Sequence, residues 1–497
     1  MTTQTSFLAT RRGKLTLALL AAIGFLDFAD SSIVNIALPH IRADLGFSVQ
    51  SLQWVLSGYL LTYGGFMLLG GRMADLLGRR RVLVAGTALF AVSSLVGGLA
   101  QSPGMLVGAR LAQGLGAATM MPAALSLLTT SFGGADRAKA LGVWGAMAGL
   151  ASAAGVSLGG LLTEGPGWRW VLFVNPPIAA LLLVGVFALV ADDRRRGAPL
   201  ANFDLLGTLV LTAGMLLLVF GLVKAPDQGW GAAATIAELA GALALLVVFT
   251  TIEARVAKPL IPLSIFRVPG LAAADVTALV AVAGFLAMFF FLTIYAQSVL
   301  GYSPLRAAVS YLPLTAGVVV AAGVATPLIA RIGTRPVLVG GIAVAAFGML
   351  LLSRISADGT YVADLLPGFM VIAFGLGAGF VAVTTAANAG VPADRAGLAA
   401  ALLNAAQQVG GALGLAILSA IATARTHHLA ALGDPSAESL TGGFRSAMLV
   451  AALILLAAAA LALRTRNSRG EHEAGAPSRE GAPLLGRLRR EALEEAR

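Results

Sequence analysis

Two acids, Asp27 and Asp30, stand one helical turn apart in the apolar stretch Leu26-Asp27-Phe28-Ala29-Asp30-Ser31-Ser32-Ile33-Val34-Asn35-Ile36-Ala37-Leu38-Pro39. A carboxylate at the centre of a membrane helix costs about 2.5–3.5 kcal/mol on insertion scales, so acids kept there generally serve ions or protons. Residues three apart share a helix face, and two carboxylates at close range do not both ionise easily. The pair is therefore expected to bind and release a proton, at Asp30 first, with Asp27 able to share it. Arg110, in a later apolar run, is the matching cation. A buried guanidinium needs a partner, which Asp30 or a backbone carbonyl is expected to supply. The plainer alternatives are a static ion pair at Arg110 and a water-facing position for Asp27.

These side chains need a membrane-spanning frame, and composition supplies one. The chain has 497 residues, 58% hydrophobic and 12% charged; a soluble domain carries roughly 25% charged residues. Apolar runs follow one another, each near the ~20 residues that cross a bilayer. The alternating short segments of a β-barrel are missing. The fold class is an all-α integral membrane protein with about fourteen transmembrane helices. The first run is too long for a signal-peptide core and is expected to be a permanent helix.

The formal charge of +10 comes from basic residues in short loops, as in Arg79-Arg80-Arg81, Arg137 with Lys139, and Arg194-Arg195-Arg196. Alternate loops hold only scattered bases such as Lys224, Arg306 and Arg425. This asymmetry predicts cytoplasmic N- and C-termini and makes nucleic-acid binding the poorer explanation of the charge. Cysteine is absent, which excludes disulfides and thiolate chemistry.

An internal repeat is visible. Leu77-Gly78-Arg79-Arg80-Arg81-Val82-Leu83-Val84 matches Ile332-Gly333-Thr334-Arg335-Pro336-Val337-Leu338-Val339, each after an even-numbered span. Repeated halves are common in secondary transporters. The expected organisation is a cytoplasmic N-terminus at 1–14, a six-helix half at 15–191, an inserted, peripheral helix pair at 205–252, a second six-helix half at 271–464 and a polar cytoplasmic tail at 465–497, expected to be disordered.

Further motifs narrow the class. Gly71-Arg72-Met73-Ala74-Asp75-Leu76-Leu77-Gly78-Arg79-Arg80-Arg81 resembles the cytoplasmic signature of the major facilitator superfamily. Asp30 to Pro39 resembles the first-helix motif of its fourteen-helix drug:proton antiporters, the EmrB/QacA-like exporters. Arg110-Leu111-Ala112-Gln113-Gly114-Leu115-Gly116 is similar to the fourth-helix motif, Trp168-Arg169-Trp170 with Asn175 and Pro176 to the entry of the sixth helix, and Glu253, Arg255, Pro259, Pro262 and Phe266 to the link before the ninth. The resemblance spans about Gly13 to Arg466, and the motifs occur in family order.

That resemblance implies two six-helix halves around a central cavity, proton coupling at Asp30, Asp27 and Arg110, and a cytoplasmic latch at Asp75 and Arg79, with Gly71, Gly78 and Arg137 beside it. In the second copy the Asp75 position is Ala330. The fifth helix departs from the family: Gly155-Val156-Ser157-Leu158-Gly159-Gly160 has Val156 where the antiporters carry proline. Gly155, Gly159 and Gly160 still allow close helix packing, but a proline kink is missing there.

A cavity for amphipathic molecules needs apolar and aromatic walls with a few polar groups. Tyr59, Gln113, Met120, Trp144, Phe285, Phe289, Tyr295, Asn388, Asn404 and Gln407 are the candidates. Most such aromatics in a bundle only pack, and amides also serve as interhelical glue. Asp275, early in the ninth span, could read cationic substrates or receive protons, although an interfacial acid is the simpler expectation, and Glu238 is expected to play a structural or lipid-headgroup role in the inserted pair.

No Gly-Lys-Ser/Thr phosphate loop appears, which argues against ATP-driven pumping, and His427-His428 has no zinc-type partners. No catalytic or metal-binding set and no cofactor are expected. The implied protein is a monomeric proton-driven exporter of small amphipathic, plausibly cationic drugs, in a bacterial cytoplasmic membrane with lipid around it. A dedicated exporter of one metabolite or lipid is the second reading; a non-transporting scaffold or receptor is a third, which Asp30, Asp75 and Arg110 disfavour.

Overall fold

The structure, a computed structural model, describes residues 7–132, 134–191, 205–256, 259, 263–391 and 396–469. Thirteen helices among the described residues are long and apolar enough to cross a membrane. A further long helix, α6 (Gly134–Glu164), holds the fifth place, so a fourteen-span architecture fits.

The first bundle contains α1 (Arg11–Leu45), α2 (Val49–Leu52), α3 (Trp54–Leu77), α4 (Arg79–Gly98), α5 (Pro103–Ser131), α6, α7 (Trp170–Phe173) and α8 (Asn175–Leu189). Then come α9 (Leu205–Gln228) and α10 (Ala233–Arg255). The second bundle contains α11 (Leu271–Ile294), α12 (Pro304–Ser310), α13 (Leu312–Ile332), α14 (Thr334–Leu352), α15 (Leu366–Asn388), α16 (Ala396–Ala431) and α17 (Ser436–Ala462). One apolar core, around Leu20, Phe90, Met120 and Leu128, lies within the first bundle; the other, around Phe290, Phe291, Phe369 and Phe444, fills the second and continues across to Ile33, Ile36, Val55 and Leu172 of the first.

The repeat seen in sequence is a repeat of geometry. Gly78 between α3 and α4 has φ 102°, and Gly333 between α13 and α14 has φ 93°. Both are turns that a side chain would strain. The helices leading to them match as well. In each bundle the second span starts with a short helix, α2 or α12, capped by Ser48 or Ser303, and continues as α3 or α13. The outer faces expose Leu181, Val184, Val324 and Phe380, as lipid contact requires.

The bundle has two ends: the arginine end, with Arg79–Arg81 and Arg335, where the Asp75–Arg79 latch is expected, and the opposite end, called the latch end for the contacts that join the halves there. At the latch end the halves are joined by polar contacts. Asn35 donates to the Phe289 carbonyl and to Thr293 Oγ1, both at 3.1 Å. The Gln297 amide donates to the Ile36 carbonyl at 2.9 Å. Glu164 Oε2 accepts from the Leu305 backbone N–H at 3.0 Å, beside Gly160, where a methyl would lie 2.7 Å from the Ala308 Cβ. A second line of contact follows α3 and α16, where Leu68 and Leu69 share an apolar cluster with Leu402.

The inserted pair divides its roles. Helix α10 faces outward, with 11% of its most apolar window buried. Helix α9 lies over the α3/α16 seam: Val219 and Val223 pack with Leu61 of α3 and with Ala412 and Ala416 of α16, and Gln50 donates to the Val223 carbonyl. The expectation of a peripheral pair therefore describes α10, whereas α9 touches both halves.

Candidate functional site

Asp30 is 1% exposed and forms an ion pair with Arg110, Nη1 to Oδ2, at 2.6 Å. Its other oxygen accepts from Gln113 Nε2 at 2.9 Å and from Asn175 Nδ2 at 2.6 Å. Three donors from three side chains thus converge on one carboxylate. Arg110 is held in turn: Nε donates to the Val55 carbonyl at 3.0 Å, Nη1 reaches Gln113 Oε1 at 2.7 Å, and the guanidinium carbon lies 4.3 Å from the Tyr59 ring centroid. Both partners expected for this arginine, the acid and a backbone carbonyl, are thus present, and the stacked ring adds a cation–π contact.

Local sequence explains the meeting. Arg110 and Gln113 are three apart on α5 and so share a face. Asn175 stands at the start of α8, steadied by Ser94 Oγ at 2.9 Å, and Ser94 donates to the Leu172 carbonyl at 2.9 Å. Helix α6 can approach α1 because of its glycines. A methyl at Gly155 would lie 2.6 Å from the Ala29 carbonyl oxygen, and one at Gly159 would lie 2.7 Å from that of Ile33. The two glycines therefore straddle Asp30.

Asp27 has a different environment. It is 1% exposed, not water-facing, and accepts from the Tyr59 hydroxyl at 2.6 Å and the Tyr63 hydroxyl at 3.1 Å. No cation bonds to it among the described residues. Tyr59 touches both acids' networks, as donor to Asp27 and as the ring beneath Arg110. One turn apart on α1, one carboxylate is ion-paired and the other is held only by phenols.

The remaining candidates scatter. Tyr59 and Gln113 belong to this network instead of lining an open wall. Met120 is 0% exposed in the core of the first bundle. Trp144 packs against Gly24, where a methyl would lie 3.2 Å from the indole. Phe289 meets Tyr311 at a tilt, with centroids 5.7 Å apart, at the latch end, and Tyr295 is buried there, its hydroxyl donating to the Ser356 carbonyl at 2.6 Å. Asn388 is exposed at the end of α15, bonded to its own helix, as is Asn404. Phe285 and Gln407 are half-buried on α11 and α16. At the arginine end, Gly71 lies against Pro122, whose Cβ would be 3.6 Å from a methyl placed there, and Arg80 stacks over Phe187 at 5.3 Å. The side chains of Asp75 and Arg137 lie outside the described residues, as do the loop 192–204 and the tail 470–497.

Two features escaped the sequence reading. Tyr63 is one turn from Tyr59, and that i, i+4 spacing was its available signal. Asp275 is 7% exposed, with no hydrogen-bond partner on either oxygen among the described residues, so protein encloses an acid that was expected to face an interface.

Comparison with known proteins identifies the family. The family model of the Major Facilitator Superfamily matches residues 20–415. The chain belongs to the major facilitator superfamily. It is 41% identical over 465 residues to the puromycin resistance protein pur8 of Streptomyces alboniger, covering 92% of each chain. It is 38% identical to the cephamycin export protein CmcT of Amycolatopsis lactamdurans, covering 93% of each. The fold is also that of a solved bacterial homologue of the human lysosomal transporter Spinster, with TM-score 0.66 at 16% identity, over 91% of this chain and 97% of that one. The chain is therefore a multi-pass membrane protein of a transporter family.

Proposed function

We propose that this protein is a proton-coupled antiporter that exports amphipathic drugs or antibiotics by alternating access. The observation that carries the reading is the pairing of a cation-bound Asp30 with a cation-free Asp27 in one buried network. A buried carboxylate held only by neutral hydroxyls has no opposite charge to balance its own, and a proton removes that cost. Asp27 is thus the proton carrier in this reading, and Asp30 with Arg110 is the relay. A substrate or a shift of α1 that disturbs Tyr59 would reach both acids together. The names of the two relatives, resistance to puromycin and export of cephamycin, support antibiotics as the substrate class. Loop charge supports a cytoplasmic arginine end, and the closed latch end is then the outer face.

The test uses everted vesicles with an imposed proton gradient and a pH-sensitive dye. A panel of cationic and neutral drugs, puromycin included, is added to wild type, Asp27→Asn and Asp30→Asn. Drug-induced proton release is expected in wild type and is expected to vanish in Asp27→Asn. Release that persists there removes Asp27 as carrier, and the Asp30→Asn arm then tests the neighbouring acid. A wild-type protein present in the membrane but silent to every drug would remove the drug-antiport reading.

A further inference from the structure

Away from the two acids, a cavity of about 330 Å³ opens at the latch end between the halves. Arg42 of α1 lines it from the first bundle, and Phe290, Phe291, Ser419, His427 and Phe444 line it from the second. Its volume lies at the lower end of small-molecule sites. Three features give it a chemistry. The floor is aromatic: Phe290 and Phe291 meet edge to face at 5.3 Å, and Phe444 is 5.4 Å from Phe291. The Ser419 hydroxyl is buried, with 3% of the residue exposed, and has no hydrogen-bond partner among the described residues. The Arg42 guanidinium forms no ion pair among the described residues. The acid nearest to it in sequence, Asp44, is already engaged by Arg169 at 2.6 Å and Trp168 at 3.0 Å.

A buried hydroxyl without a partner costs about 1–3 kcal/mol, a penalty that a polar ligand atom would relieve. A guanidinium without an ion-pair partner and aromatic rings lining one cavity suit a planar anion, because the fork matches a carboxylate and the rings favour an offset-stacked or edge-on aromatic body. We propose that this cavity is a binding site for a compact aryl carboxylate. Arg42 takes the carboxylate, and the three phenylalanines take the ring. Because the walls come from both halves, the ligand binds the closed latch end and would favour that state over one in which the halves part. The assignment does not depend on which acid carries the proton, or on antiport.

The test is equilibrium binding of 2-naphthoate to the purified full chain in nanodiscs, with empty nanodiscs as blank. Expected is saturable binding of one naphthoate per chain, at least tenfold weaker for the neutral 2-naphthamide and at least tenfold weaker in Arg42→Gln. Arg42→Lys keeps the charge and is expected to fall between. Arg42 is only partly buried near a helix end, so these variants should fold; unchanged size-exclusion profiles verify that. Decanoate is run alongside, because a fatty acid offers the same head group on a chain. Arg42-dependent binding of decanoate but not naphthoate assigns the site to lipid-derived acids and overturns the aryl proposal. Binding that is equal in Arg42→Gln, or no greater than that of empty nanodiscs, overturns the site itself.

Discussion

The Asp30–Arg110 pair lies deep enough that losing one member is worse than losing both. Removing one partner of a buried ion pair typically costs about 3–5 kcal/mol, because the other charge remains uncompensated. Arg110 is 1% exposed and Asp30 equally so. Arg110→Ala and Asp30→Asn are therefore each expected to lower thermal stability strongly, the first stranding the Asp30 carboxylate and the second the Arg110 guanidinium, although the asparagine oxygen can still accept from Gln113 and Asn175. Combining Asp30→Asn with Arg110→Gln should be more stable than Arg110→Ala alone, measured as melting temperature in detergent, while abolishing transport. Equal melting of all three would mean that the pair is not a buried charge site. Asp30 and Arg110 were legible in sequence because a charge in an apolar run stands out against its surroundings. Tyr63, Ser94 and Asn175 complete the network but are ordinary residues in a membrane helix, so their part depends on which helices meet. Asp275 was misjudged for the same reason. Its place near the start of a span suggests an interface, but its burial is decided by packing around α11 that local sequence does not contain.

At the level of elements, the glycines of α6 decide how close α1 can come. A methyl at Gly159 would sit 2.7 Å from the Ile33 carbonyl oxygen, and that atom is backbone, so only a helix shift can relieve the clash. Gly159→Val is expected to push α6 from α1 and loosen the Asp30 network, lowering stability by about 1–3 kcal/mol as an overpacked core does and abolishing transport. Gly160→Ala acts elsewhere. Its methyl would meet Ala308 and the Leu305 Cα across the two halves, so it should leave melting nearly unchanged and shift the latch end toward opening. Thermal stability and cysteine accessibility at the latch end, measured on both variants, check the distinction; identical behaviour would show that the two adjacent glycines share one role. The sequence marked these glycines as packing sites, yet it could not say that neighbours one residue apart serve different interfaces. A step of one residue turns a helix by about 100°, and what lies on each side is a property of the whole bundle. Span number and order were legible for a simpler reason: apolar length is a local quantity set by the bilayer. The place of α9 over the α3/α16 seam was not, because an apolar helix facing lipid and one bridging two halves have much the same composition.

For the whole molecule, the latch end determines which side is open. Asn35 of α1 reaches Thr293 of α11 at 3.1 Å, and Gln297 reaches Ile36 at 2.9 Å; these contacts must break if the halves rock apart at that end. The chain contains no cysteine, so the replacement pair Asn35→Cys with Thr293→Cys can be cross-linked without background. The side chains they replace are within hydrogen-bond distance, and a short bis-thiosulfonate is expected to bridge the new thiols at high yield in the resting protein. Bridging should stop drug transport, and reduction should restore it, because alternating access requires this end to open in every cycle. Each single-cysteine variant treated in the same way should keep its transport. A transported drug in excess, which drives cycling, should slow the bridging by populating the state with the latch end open. If the bridge forms but transport continues, the halves do not part here, and the latch is a fixed weld. The path out of the protein would then have to run along another face, and the α3/α16 seam, covered by α9, would be the one place in the described structure where the same inserted helix touches both halves and could report such a movement.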